Sequence, residues 1–117
     1  MTREEFDSFC QTLKATENVI QWGDASVWKI GGKIFALCSL WGEGKEPKVA
    51  FKCSDLSFTL LSEQPGIIPA PYLARAKWVQ IADVDALSDE DMRAYITEAH
   101  RLISAKLTKA KRAELGL

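Results

Sequence analysis

The chain has one histidine, His100, in 117 residues, and only three cysteines. A single histidine excludes any metal site or catalytic relay that needs two. Cys10, Cys38 and Cys53 are separated by 28 and 15 residues, intervals that fit no zinc motif, so the expectation is reduced, buried thiols behaving as small hydrophobes. Long apolar runs are missing as well. The longest, Ile34 to Cys38, has five residues, against the ~20 that span a bilayer, so no membrane partner is expected. Met1-Thr2-Arg3-Glu4-Glu5 puts acidic residues where a signal peptide needs apolar ones, so a cytoplasmic protein is expected. A Gly-rich phosphate loop is also lacking: Gly42 and Gly44-Lys45 join two strand patterns and open no helix. Asp83, Asp85, Asp89, Glu90 and Asp91 do not follow the calcium-loop spacing, and the last three suit a helix N-terminus without any metal. These gaps leave no catalytic residue, metal ligand or cofactor to assign.

What is present is globular. Apolar residues make up 47% and charged residues 26%, so one domain over 1–117 is expected. The net charge is −1, whereas a protein dedicated to coating DNA is usually basic overall. The charge is uneven, however. Arg101, Lys106, Lys109, Lys111 and Arg112 face only Glu114 near the end, while Asp83 to Asp91 carries no basic residue.

Thr2 and Glu5 form a capping-box pattern, and Phe6, Phe9, Cys10 and Leu13 recur at helical spacing, giving a first helix over about 3–15. Glu4, Asp7, Gln11 and Lys14 are assigned to its solvent side. Val19–Trp22 is a short lead-in, and the pair Gly31-Gly32 joins strands 26–30 and 33–40 as a tight hairpin. A two-residue turn places Ile30 opposite Lys33 and Trp28 opposite Phe35. Lys48–Lys52 alternates, with Val49, Phe51 and Cys53 on one face and Lys48, Ala50 and Lys52 on the other. Ser54 caps a short helix over about 55–63. Three prolines keep 64–71 extended, and 78–82 is the last strand. Ser88 caps a final long helix with Met92, Tyr95, Ile96, Ala99, Ile103 and Leu107 on its buried stripe, and a basic tail follows over about 108–117. The order predicts a two-layer α+β domain, an antiparallel sheet covered on one face by the N- and C-terminal helices, with the other face partly open.

The candidate contact residues are basic. Lys33 at the hairpin lip, Lys48 and Lys52 on the neighbouring strand, and Lys109, Lys111 and Arg112 in the tail are assigned to an anion or nucleic-acid surface. Lysines beside strand edges also discourage aggregation, which is the plainer reading. Trp22, Trp41 and Tyr72 near that surface are able to stack on bases or to complete the core. His100 projects to the flank of the last helix's buried stripe, with no nucleophile placed beside it by any motif.

Six segments in register, Trp22-Gly23, Gly32-Lys33-Ile34-Phe35-Ala36, Phe51-Lys52-Cys53, Pro65-Gly66 through Tyr72, Trp78-Val79 and Lys106-Leu107, resemble the MmcQ/YjbR family of small bacterial proteins. The resemblance runs over nearly the whole chain. It implies a fold similar to CyaY (frataxin), with a double-wing arrangement proposed to hold DNA. Two departures stand out: Tyr72 to Lys77 replaces a histidine and an Asn-Lys pair found before the strand tryptophan in many relatives, and Ala99-His100 replaces a Ser-Tyr pair. Frataxins hold iron on an acidic helix ridge, but Glu4, Glu5 and Asp7, interrupted by Phe6, make a thin one. The resulting expectation is a monomeric, non-enzymatic module binding DNA weakly and without sequence preference. The alternative is a protein-interaction or regulatory module using the open sheet face and the Pro-rich loop.

Overall fold

The computed structural model describes residues 1–42 and 44–117. Helix α1 (Arg3–Thr12) precedes strands β1 (Thr16–Gln21), β2 (Ala25–Ile30), β3 (Lys33–Ser39) and β4 (Lys48–Lys52). Helix α2 (Asp55–Ser62), strand β5 (Ile67–Pro69), a 3₁₀ turn (Ala74–Ala76), strand β6 (Trp78–Ile81), helix α3 (Asp89–Ser104) and helix α4 (Lys109–Leu115) complete the chain. The strands form one antiparallel six-stranded sheet in the order β1-β2-β3-β4-β6-β5. The α+β class and the antiparallel sheet are as the sequence predicts.

Local chemistry sets the helix starts. Thr2 Oγ1 accepts from Glu5 N at 3.1 Å while Thr2 N donates to Glu5 Oε1 at 2.9 Å, the reciprocal capping box. Ser54 and Ser88 accept from Ser57 N and Asp91 N to start α2 and α3. Gly31 and Gly32 turn the β2–β3 hairpin with φ of +58° and +83°. A Cβ on Gly31 would lie 2.8 Å from Leu107 Cδ1, so the bare glycine also lets the hairpin seat against the end of α3.

Ile30 pairs with Lys33 as expected, but the register slips between Trp28 and Lys29, so that Trp28 faces Ala36 and Lys29 faces Ile34. Phe35 is the extra residue of a bulge in β3, not the partner of Trp28. The bulge lets Phe35 and Trp28 enter the same core. Two further differences concern length and pairing. β1 is a full strand paired along β2, and residues 67–69 of the Pro-rich stretch pair with β6. Pro69 sits at the end of this outer strand, where a missing N–H is tolerated.

The main core lies between the sheet and the helices. Phe6 and Cys10 of α1, Leu61 of α2, and Met92, Ile96, Ala99 and Ile103 of α3 meet Trp28, Phe35, Phe51 and Val79. Fully burying each large side chain contributes ~1.5–3 kcal/mol. Tyr95 is half-buried and stacks on Phe51 at 5.6 Å. A smaller apolar layer occupies the opposite face, where Val27, Leu37, Ala50, Ala25 and Trp78 are covered by Ala70 and Leu73. Trp78 is therefore buried in this second layer and not in the main core. The expected basic tail is helix α4, capped by Thr108, with Leu115 and Leu117 packed against the main core and Arg112 Nη1 donating to Ser104 O at 3.2 Å. Among the described residues no helix is long and apolar enough to cross a membrane.

Candidate nucleic-acid interface

Antiparallel pairing gives the sheet two distinct ends. At one end lie the β2–β3 turn with Lys33, the end of β4 with Lys52, and the start of β6 preceded by Lys77. Leu107 packs on Gly31 at this end, which brings Lys106 to the same place. Burial, followed by the neighbouring Lys106 charge, lowers the pKa of the Lys52 ammonium; Lys77 pushes the same way, while Cys53 and Asp55 oppose it. Lys52 Nζ donates to Ala76 O. Lys77 takes a left-handed conformation, φ +63°, and its Nζ lies 5.0 Å from the centre of the Phe58 ring.

Not every lysine named from the sequence joins this group. Lys33 and Lys109 are exposed. Lys111 Nζ lies 3.6 Å from Glu114 Oε2, and Arg112 is turned toward Ser104. Lys48 is the clear correction: it is only 4% exposed, at the opposite end of β4, with Nζ donating to Glu46 O at 3.1 Å. It lines a cavity of about 360 Å³ together with Asp83, Val84, Met1 and Met92. A buried ammonium beside a carboxylate-bearing rim is no phosphate contact. Alternation along β4 assigned its direction but not the loop that folds over it.

The acidic run lies away from the basic end. Asp83 follows β6 beside Gly66, and Asp89 Oδ1 meets the Met1 ammonium at 3.1 Å. Asp7, assigned above to the solvent side of α1, instead faces the sheet: its Oδ1 accepts from Ser26 Oγ at 2.6 Å and Trp28 Nε1 at 2.9 Å. His100 packs edge-on to Phe35 at 5.3 Å, and its Nε2 donates to Lys14 O at 2.8 Å. The three cysteines are free and buried. Burial raises the pKa of all three thiols, Cys38 and Cys53 to about 11.

The Lys48 end of the sheet, where β3 ends and β4 begins, carries a second feature on the face away from the helices. Trp22 from the β1–β2 turn, Trp41 after β3, and Tyr72 and Leu73 from the Pro-rich connection line a cleft of about 410 Å³. Trp22 and Trp41 are 5.5 Å apart at 44°, and Trp41 and Tyr72 are 5.4 Å apart at 87°. Trp22 is 50% and Tyr72 90% exposed. Both have positive φ, +54° and +67°, which costs a non-glycine residue about 1–2 kcal/mol. Gln80, buried at the base, fixes the Trp41 backbone by donating Nε2 to its carbonyl at 2.8 Å. The three aromatics are visible in the sequence; only the tertiary structure joins them.

A half-covered antiparallel sheet with four helices on its other side, a basic end and an aromatic cleft defines the class: a small α+β module with a surface-exposed site. The family model YjbR matches residues 11–102, and the chain belongs to the YjbR family. Its fold is similar to that of a Deinococcus radiodurans protein of the DUF419 domain family, with TM-score 0.84 and 22% identity over 99% of this chain and 88% of the other. A Pseudomonas syringae protein is similar at TM-score 0.73 and 20% identity, over 87% of this chain and 98% of that one. No curated protein matches the sequence.

Proposed function

We propose that the chain is a non-enzymatic binding module whose ligand is DNA, held through its phosphates at the lysine end of the sheet. The supporting observation is the convergence of Lys52, Lys77 and Lys106 from three segments distant in sequence, at the end of the sheet where the β2–β3 turn carries Lys33, with Asp55 the carboxylate felt by Lys52. Like charges drawn together cost free energy unless an anion neutralises them, and a phosphate does so. Lysines are point charges that position a backbone and do not read base edges, so binding is weak and indifferent to sequence. The helix layer carries Glu4, Glu5, Asp89, Glu90 and Asp91, which discourages contact on that side.

Fluorescence anisotropy with random-sequence DNA at about 50 and 200 mM salt tests this. Affinity is expected to fall with a log–log slope of about −0.9 per phosphate neutralised, and Lys33→Ala to reduce the slope by about one. Lys48→Ala, which alters a buried lysine at the other end, is expected to leave the slope unchanged. Absence of binding at micromolar concentration and low salt overturns the reading in favour of the protein-interaction module.

A further inference from the structure

We infer that the Trp22–Trp41–Tyr72 cleft is a stacking site for the bases of a single-stranded nucleic acid, which makes the ligand of this module single-stranded rather than duplex. The inference rests on the phosphate reading above and adds to it a site that the lysines do not touch.

Several observations favour this occupant. The lining is almost wholly aromatic, three rings and Leu73, in a volume that accepts one flat ring system. Base-aromatic stacking tolerates any sequence because every base has a π-face. The rings are not surplus core: Tyr72 and Trp22 are held outward on left-handed backbone by the segments that carry them. Among the described residues no acceptor meets the indole N–H of Trp22 or Trp41, whereas Trp28 Nε1 is bonded to Asp7. Two indole donors are thus left for base edges or phosphates.

The charge on this face fits the same occupant. Lys29 shares it with Val27, and Lys52 with Ala50, while Arg75 and Lys77 belong to the segment laid over it. The carboxylate on the strands there is Glu17, directly across from Lys29; Asp24 is held by Arg3, and the sequence from Trp41 to Pro47 carries one cation, Lys45, and two anions, Glu43 and Glu46. A strand bound at the lysine end therefore runs along a cationic face to reach the cleft. β3, seven residues long, separates the two sites by roughly 20 Å at ~3.3 Å per residue. A flexible single strand spans such a distance with its bases splayed, as in OB-fold proteins, which pair a cationic groove with stacking aromatics over about 4–16 nucleotides. A duplex keeps its bases stacked inside and has nothing to offer the rings.

Tryptophan fluorescence reads the cleft directly, because Trp28 and Trp78 are 6% and 4% exposed and shielded from solvent quenching. The full chain is titrated with single-stranded oligothymidylate, a duplex of equal length, an abasic oligonucleotide of equal length, and a polyproline peptide. The single strand is expected to quench Trp22 and Trp41 and to bind about 5- to 150-fold tighter than the abasic strand, the range that one stacked base provides. Tyr72→Ala and Trp22→Ala are expected to remove that advantage while leaving abasic binding as it was, which also shows that the variants are folded. Tyr72→Phe is expected to keep it. Equal affinity for single strand, duplex and abasic strand, without quenching, overturns the stacking site and leaves the phosphate reading standing. Failure of every nucleic acid to bind overturns both. Quenching by polyproline alone overturns both as well and makes the cleft a peptide groove.

Discussion

Asp7 accepts two hydrogen bonds from the sheet, and removing it strands a serine hydroxyl and an indole N–H in a partly buried site. Asp7→Ala is expected to cost about 1–3 kcal/mol, measured by urea unfolding; Asp7→Asn keeps an acceptor and is expected to cost less. Trp78→Ala is expected to cost about 3–5 kcal/mol, although it empties the thin layer under Ala70 and Leu73 and not the main core. The thiols set an alkaline limit. Cys38 and Cys53 titrate near 11 when folded against an ordinary value of 9.0, so above pH 9 the unfolded chain loses protons that the folded chain keeps. Stability from this source is fully present below pH 9 and falls as pH rises toward 11. Replacing all three cysteines by alanine is expected to flatten that part of the stability–pH curve, and native thiols are expected to resist alkylation at pH 8.

At the scale of elements, α4 has the clearest consequence. Its apolar end residues and the Arg112–Ser104 bond tie it to the core, so deleting residues 109–117 is expected to lower the melting temperature, a result that a free tail would not give. The C-cap at Gly116, φ +75°, closes the helix by donating to the Ala113 carbonyl at 3.2 Å. The β3 bulge was hidden for a different reason. The Gly-Gly turn fixes pairing only for the residues next to it, and whether Phe35 or Ala36 faces Trp28 depends on the room under α3. In the Pro-rich stretch, β5 escapes a propensity reading because an outer strand needs only one side of its backbone paired.

Across the whole molecule, charge is sorted by end and by face: carboxylates gather around the helix layer and the Asp83–Asp91 run, and lysines around the hairpin end. With a net charge of −1, the proposed attraction to DNA would be a local property, so it is expected to fade quickly once salt shortens the ~10 Å screening length found near 0.1 M. Swapping Lys33, Lys77 and Lys106 to glutamate is expected to abolish binding in the same assay while the melting temperature changes little, since these groups lie outside the apolar core.

The sequence by itself determined the first three helices and their caps, the Gly31-Gly32 hairpin, the two-layer class and the burial of Phe6, Phe35, Phe51 and Ile96, but not helix α4. Each follows from short-range periodicity or turn chemistry, which neighbours along the chain impose. It also named Lys33 and Lys52, which the fold places at one end of the sheet. Tertiary structure alone decided that Lys48 is buried, that Asp7 faces inward, that Trp78 belongs to the second layer, and that Trp22, Trp41 and Tyr72 share one cleft. The reason is physical: alternation tells which way a side chain points, but what covers it comes from loops and helices dozens of residues away, placed by the packing of the whole chain.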